Sequence, residues 1–144
     1  MKRIRRKDYL DWLIKWKEHQ IIKVVTGVRR CGKSTLFDIY QEYLLEHEVL
    51  NEQIIAINFE NLDFEDLCDY KSLYKYIKSH LLPDKMNYIF LDEIQHVEDY
   101  QKVVDSLFLR ENCDVYITGS NAYFMSGELA TLLTGRYVEL SMKD

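Results

Sequence analysis

The sequence has 144 residues, a net charge of −5, 47% hydrophobic and 30% charged residues, which suits one globular domain with a real core. The negative balance excludes a chain-wide nucleic-acid footprint, and no apolar run approaches the ~20 residues of a membrane span. Three scattered cysteines (Cys31, Cys68, Cys113) without a C-x-x-C exclude a disulfide framework and a zinc site, and fit a cytoplasmic location.

The chain starts basic, with Lys2, Arg3, Arg5, Arg6 and Lys7, but without the apolar stretch of a signal peptide. A helix is predicted over 8–18, with Asp8 as its N-cap. It carries Trp12 and Trp16 one turn apart, with Tyr9, Leu10, Leu13 and Ile14. This face packs on the core with a solvated basic tip, or serves as a membrane-surface or DNA-phosphate arm. Residues 1–19 are read as this N-terminal segment and 20–144 as the core. A strand follows over 21–26, β-branched and apolar around Lys23.

Residues 27–34 read Gly-Val-Arg-Arg-Cys-Gly-Lys-Ser, a P-loop pattern without mismatch. Helical spacing over 34–46 completes the strand–loop–helix setting that such a loop needs. Gly27 and Gly32 are expected to supply backbone freedom, and the following helix its positive N-terminal end. Lys33 is placed on the β- and γ-phosphates of a nucleoside triphosphate and Ser34 on Mg²⁺. Val28, Arg29, Arg30, Cys31 and Thr35 complete the predicted nucleotide-binding stretch. Solvated arginines remain an alternative for Arg29 and Arg30.

A strand is predicted over 53–59, a helix over 69–81 ending at Leu82-Pro83, and a strand over 88–91. That strand runs straight into Asp92-Glu93. A parallel sheet opens its ligand crevice at the C-terminal edge of its strands, so both acids share an edge with the P-loop. Asp92 fits a Walker B role on Mg²⁺, and Glu93 a catalytic role on the attacking water. Asn58, ending the strand before, is expected within reach of Glu93, or else simply caps its own turn. A helix over 98–110 and a strand over 115–118 follow. The latter leads to Ser120 and Asn121, with Asn121 the first choice for a γ-phosphate sensor and a turn residue as the alternative. A short helix near 127–133 leads to a strand over 137–140. Arg136 precedes that strand, on the edge opposite the P-loop; it either acts as an arginine finger on a neighbour's nucleotide or forms a structural salt bridge. His19, His47, His80 and His96 show no metal-ligand spacing. The fold class is therefore α/β, a P-loop sandwich with a parallel sheet covered on both faces.

Four stretches in register carry a resemblance: Gly-Val-Arg-Arg-Cys-Gly-Lys-Ser-Thr-Leu, Tyr-Ile-Phe-Leu-Asp-Glu-Ile-Gln-His-Val, Ile-Thr-Gly-Ser-Asn and Leu-Thr-Gly-Arg-Tyr-Val-Glu-Leu. The chain resembles the prokaryotic AAA-superfamily ATPases of the archaeal ATPase-like group. The resemblance implies an additional-strand sheet of order 5-1-4-3-2, ATP with Mg²⁺, and the roles given above for Lys33, Ser34, Asp92 and Glu93. In such proteins a longer C-terminal region follows the core. No lid and no second sensor arginine follow the last strand here, so a truncated core is expected, with hydrolysis affected more than binding. An attached domain, a partner protein or further copies of the chain are the expected partners. The leading expectation is an ATP-hydrolysing domain that drives a partner. A nucleotide-gated switch with negligible hydrolysis competes with it, and a small-molecule kinase less so, because no Arg-rich lid is visible. No Asn-Lys-x-Asp guanine reader occurs.

Overall fold

In a computed structural model, which describes residues 2–28, 30–124 and 128–143, five parallel strands form one sheet. They are β1 (Ile22–Gly27), β2 (Ile54–Asn58), β3 (Asn87–Asp92), β4 (Cys113–Ser120) and β5 (Tyr137–Ser141), in the order β2-β3-β4-β1-β5. This is the expected 5-1-4-3-2 order read from the other edge. The helices are α1 (Lys2–Trp16), α2 (Lys33–Glu46), α3 (Tyr70–His80), α4 (Tyr100–Phe108) and α5 (Glu128–Leu132). Short 3-10 turns lie at Asn51–Gln53, Leu62–Leu67 and Ile94–His96.

Side chains alternate across each strand, so each strand feeds two cores. Ile22, Val24, Ile89, Leu91, Val115 and Ile117 point into an aliphatic layer beneath α3 and α4. Val25, Tyr88, Phe90 and Tyr116 point the other way, toward Leu13 of α1 and Phe37 and Tyr40 of α2. That second layer is aromatic, with Phe90 and Tyr116 stacked at 4.9 Å. One charged pair lies inside it. Lys23 on β1 and Asp114 on β4 are 0% and 2% exposed, with Nζ and Oδ1 2.5 Å apart.

The first helix differs from the expected 8–18. It begins at Lys2, so Asp8 sits inside it and does not cap it. The basic residues before Asp8 are good helix formers, and neither glycine nor proline interrupts them. The other elements match their predicted positions within one or two residues at most ends.

Gly119 on β4 has a steric reason. A Cβ added there would lie 2.0 Å from Cε2 of Phe124, whose ring covers the strand backbone. Phe124 is buried and contacts Tyr100 and Tyr123, and so fixes the loop that carries Asn121. Overpacking of this kind costs ~1–3 kcal/mol. Gly119→Ala is expected to lower the melting temperature by roughly 3–10 °C for a domain of this size, read by circular dichroism. An unchanged melting temperature would show that Phe124 can move aside freely.

Candidate functional site

β1 and β3 end at the same sheet edge, with β4 between them. This brings the loop after β1 opposite the acids that end β3. Gly32 starts α2 at φ 105°, a left-handed conformation that only glycine adopts without strain. Gly27 does not share that reason. It is the last residue of β1, and an added Cβ would lie 2.5 Å from Cys31 Sγ and 3.1 Å from Met142 O. The expected backbone freedom thus holds for Gly32, while Gly27 is required for space. Arg30 also has positive φ, at 67°. Arg29 lies outside the described residues.

Lys33 is 2% exposed. Its ammonium donates to the carbonyls of Gly27 at 3.0 Å and Val28 at 3.1 Å, and lies 3.3 Å from Glu93 Oε2. Ser34 donates its hydroxyl hydrogen bond to Asp92 Oδ2. The other oxygen, Oδ1, accepts from Thr118 Oγ1 at 2.5 Å. Burial pushes the Asp92 carboxyl up, against the pull of the Ser34 and Thr118 hydrogen bonds; neighbouring Glu93 adds to the rise and the Lys33 charge opposes it.

Glu93 is 5% exposed and sits at φ 58°, ψ 53°. A non-glycine residue in the left-handed region is strained, and such strain concentrates at functional positions. Its backbone N–H donates to Thr118 Oγ1 at 2.8 Å, and its Oε1 accepts from Gln95 Nε2 at 2.7 Å. Asn58 and Asp92 are register partners on adjacent strands, as the strand order requires. The Asn58 side chain, however, accepts from Glu60 N at 2.9 Å, an Asx turn that uses its carbonyl locally. This is the turn given above as the alternative for Asn58, and Gln95 is the side chain that meets Glu93 Oε1.

Two cavities meet at Glu60 and Glu93. One, about 300 Å³, is lined by Arg30, Gly32, Lys33, Ser34 and Thr35. The other, about 400 Å³, is lined by Val28, Gln95, His96, Ser120 and Asn121. Asn121 donates its backbone N–H to Gly27 O at 3.3 Å and so sits across from the loop. Arg136 is elsewhere. Its carbonyl accepts from Ile22 N at 3.0 Å, which puts it at the start of β1, roughly 16 Å of strand away from the loop. Its guanidinium lies 5.5 Å from the Phe108 ring centre and its charge reaches Asp105.

Thr118, Gln95 and Glu60 were not singled out from sequence. Thr118 sits at the end of a strand beside a Gly-Ser pair, but its place between two acids depends on β4 lying next to β3. Gln95 carries a weak signal, being two residues beyond the second acid.

The back of the loop is also closed. Met142 N donates to Thr26 O at 2.7 Å, and its side chain approaches Gly27 and Gly32. Lys143 N donates to the Tyr9 hydroxyl at 3.2 Å.

A family profile described as an AAA domain matches residues 19–143. The chain belongs to the AAA-domain family. It is an AAA-type P-loop domain and, as such, an ATP-binding module. An uncharacterized protein of Haemophilus influenzae is 43% identical over 140 residues, 96% of this chain and 35% of that protein. The uncharacterized protein MJ1544 of Methanocaldococcus jannaschii is 34% identical over 116 residues, 80% of this chain and 24% of that one. The domain thus spans about a third and a quarter of these relatives. In fold, it superimposes on a DNA polymerase III gamma subunit-related protein of Thermotoga maritima with a TM-score of 0.67 at 11% identity, covering 94% of this chain and 46% of the other. Among the described residues, no helix is long and apolar enough to cross a membrane.

Proposed function

We propose that this AAA domain binds ATP with Mg²⁺ in the loop 27–35 and hydrolyses it, coupling its nucleotide state to the rest of the protein or to a partner. The observation that carries the reading is the meeting of two strand ends, Ser34 on Asp92 and Lys33 on Glu93, beside a cavity that Lys33, Ser34 and Glu93 line. Mg²⁺ prefers oxygen donors and is often held by one or two carboxylates together with substrate phosphates. The Ser34 hydroxyl and the Asp92 carboxylate, already in contact, fit that preference. When bound, the ion would neutralise charge on the phosphates.

The chain's own residues then divide the work. Lys33 leaves the carbonyls of Gly27 and Val28 for the phosphates. Thr118 holds both Asp92 and the backbone of Glu93, so the two acids keep a fixed relation. Glu93, released from Lys33, takes the proton of the attacking water, and Asn121 faces the terminal phosphate across the cleft. Arg136 engages Phe108 and Asp105 of its own chain, which favours its structural role over a finger in trans.

A second reading, a switch with negligible turnover, is favoured by the two groups that hold Glu93, Lys33 and Gln95. Phosphate release with and without candidate partners separates the two.

Binding itself is tested by Lys33→Ala in calorimetric titrations with ATP and Mg²⁺. A hydrogen bond to a charged group contributes ~1.5–3 kcal/mol, so affinity is expected to fall by about 10- to 150-fold. Equal affinities of the variant and the parent would overturn the assignment of the loop.

A further inference from the structure

The outer surface of the α3–α4 layer carries a cleft of about 340 Å³ that shares no lining residue with the cavities beside the loop. Its floor is Tyr70 and Tyr74, one turn apart on α3 and half-buried against the core. Lys71, Lys75 and Lys78 follow along α3 at spacings of four and three, which puts them on one face. Lys102 reaches in from α4. Among the described residues, no carboxylate lines the cleft.

This concentration of charge stands out in a chain of net charge −5. Lysines on one helix face usually alternate with acids that offset their repulsion. Here Lys71 and Lys75, at i and i+4, repel each other. Among the described residues, the only acid that an ion pair brings to these lysines is Asp99, 3.9 Å from Lys102 in an exposed contact of little strength.

Three of the lysines also lie over rings. The Lys102 ammonium lies 4.6 Å and that of Lys71 5.9 Å from the centre of the Tyr70 ring, and that of Lys78 lies 5.6 Å from the Tyr74 ring. The rings keep the charges gathered over the floor and lower the entropy lost when an anion binds. Arg110 donates to the Tyr74 hydroxyl at 3.4 Å and adds a further charge at the edge.

We propose that this cleft binds single-stranded nucleic acid. The four lysines take successive backbone phosphates, and Tyr70 and Tyr74 offer aromatic surface to sugars and unstacked bases. A positive groove over aromatic side chains is the arrangement that tracks a single strand without reading its sequence. An acidic protein segment would use the lysines but leave the tyrosine floor without a role. The site is separate from the nucleotide-binding loop, so its test needs no ATP.

The probe is a fluorescein-labelled oligothymidylate of about 20 nucleotides, longer than the ~4–16 that one compact single-strand module covers. Anisotropy is followed over a range of salt concentrations. Binding is expected to weaken with salt, and Lys75→Ala with Lys102→Ala to flatten the logarithmic slope by about 1.4, from ~0.7 per phosphate contact. Tyr74→Leu, which keeps the apolar packing, is expected to weaken binding by about 5- to 150-fold. If that variant proves to melt lower, the lysine pair decides alone, because both lysines are exposed and support no core. The proposal is overturned if the parent fails to bind at low salt, or if the lysine pair leaves affinity and slope unchanged. It is equally overturned if binding is lost on neutralising Lys2, Arg3, Arg5, Arg6 and Lys7 instead. Poly-glutamate of similar length competing as well as the oligothymidylate would overturn it in favour of an acidic protein partner.

Discussion

Glu93→Gln is expected to leave ATP affinity unchanged and to lower turnover by ~10²–10⁴-fold, the usual contribution of a positioned general base. Glutamine keeps the size and the strained backbone placement of Glu93, and its carbonyl can still accept from Gln95. It cannot take a proton. The substitution also removes the ion pair with Lys33, but that ammonium keeps the carbonyls of Gly27 and Val28, so the loop retains its anchor. Phosphate release measured beside calorimetric binding separates the two effects. Turnover equal to the parent's would make Glu93 a structural carboxylate, with its left-handed backbone serving the turn into Ile94–His96. Loss of binding together with turnover would instead place Glu93 among the groups that shape the loop.

The second large effect concerns stability. Asp114→Ala is expected to cost ~3–5 kcal/mol, because it strands a buried ammonium. Asp114 accepts from Lys23 Nζ at 2.5 Å, from Tyr116 hydroxyl at 2.6 Å and from Glu18 N at 2.9 Å. The Tyr116 hydroxyl in turn meets that of Tyr40 at 2.8 Å, and Tyr88 donates to Glu18. The network joins α2, three strands and the segment that follows α1. Burial lowers the Lys23 pKa, opposed by the Asp114 charge, so without Asp114 the amine is pushed toward its neutral form. The carbonyl of His19, at 2.5 Å, and the Tyr116 ring, 5.3 Å away, would still contact it. Typical domains are stable by ~5–15 kcal/mol, so the variant should unfold at markedly lower urea. Replacing both partners, Lys23→Met with Asp114→Leu, should recover much of the loss, since an apolar pair leaves no stranded charge. A double variant no more stable than Asp114→Ala would show that the tyrosines, rather than the ion pair, hold this layer.

Features readable in the sequence were those carried by spacing along it. The loop from Gly27 to Ser34, the apolar run into Asp92-Glu93 and the alternation of strands and helices each lie within a few residues, whereas the strand order came from the family resemblance. Features that depend on strands meeting were not readable. Lys23 looked like a polar interruption of an apolar strand. Its partner is 91 residues away and becomes a neighbour only once β1 and β4 pair. Thr118 acquires its two acids through the pairing of β3 and β4 in the same way. The lysines of α3 went unremarked at spacings of four and three, because Lys102 joins them only when α4 packs alongside. Asn58 illustrates the reverse case. Its strand was placed correctly, and its side-chain carbonyl closes a turn on Glu60, two residues on.

The path of Met142 and Lys143 has a mechanical meaning. After β5 the backbone passes behind Gly27 and Gly32, bonds to Thr26 through Met142, and at Lys143 meets Tyr9 of α1. Close-packed interiors transmit displacement instead of absorbing it. A shift of the loop is therefore expected to press on the backbone at Met142 and, through the Tyr9 hydroxyl, on the first helix.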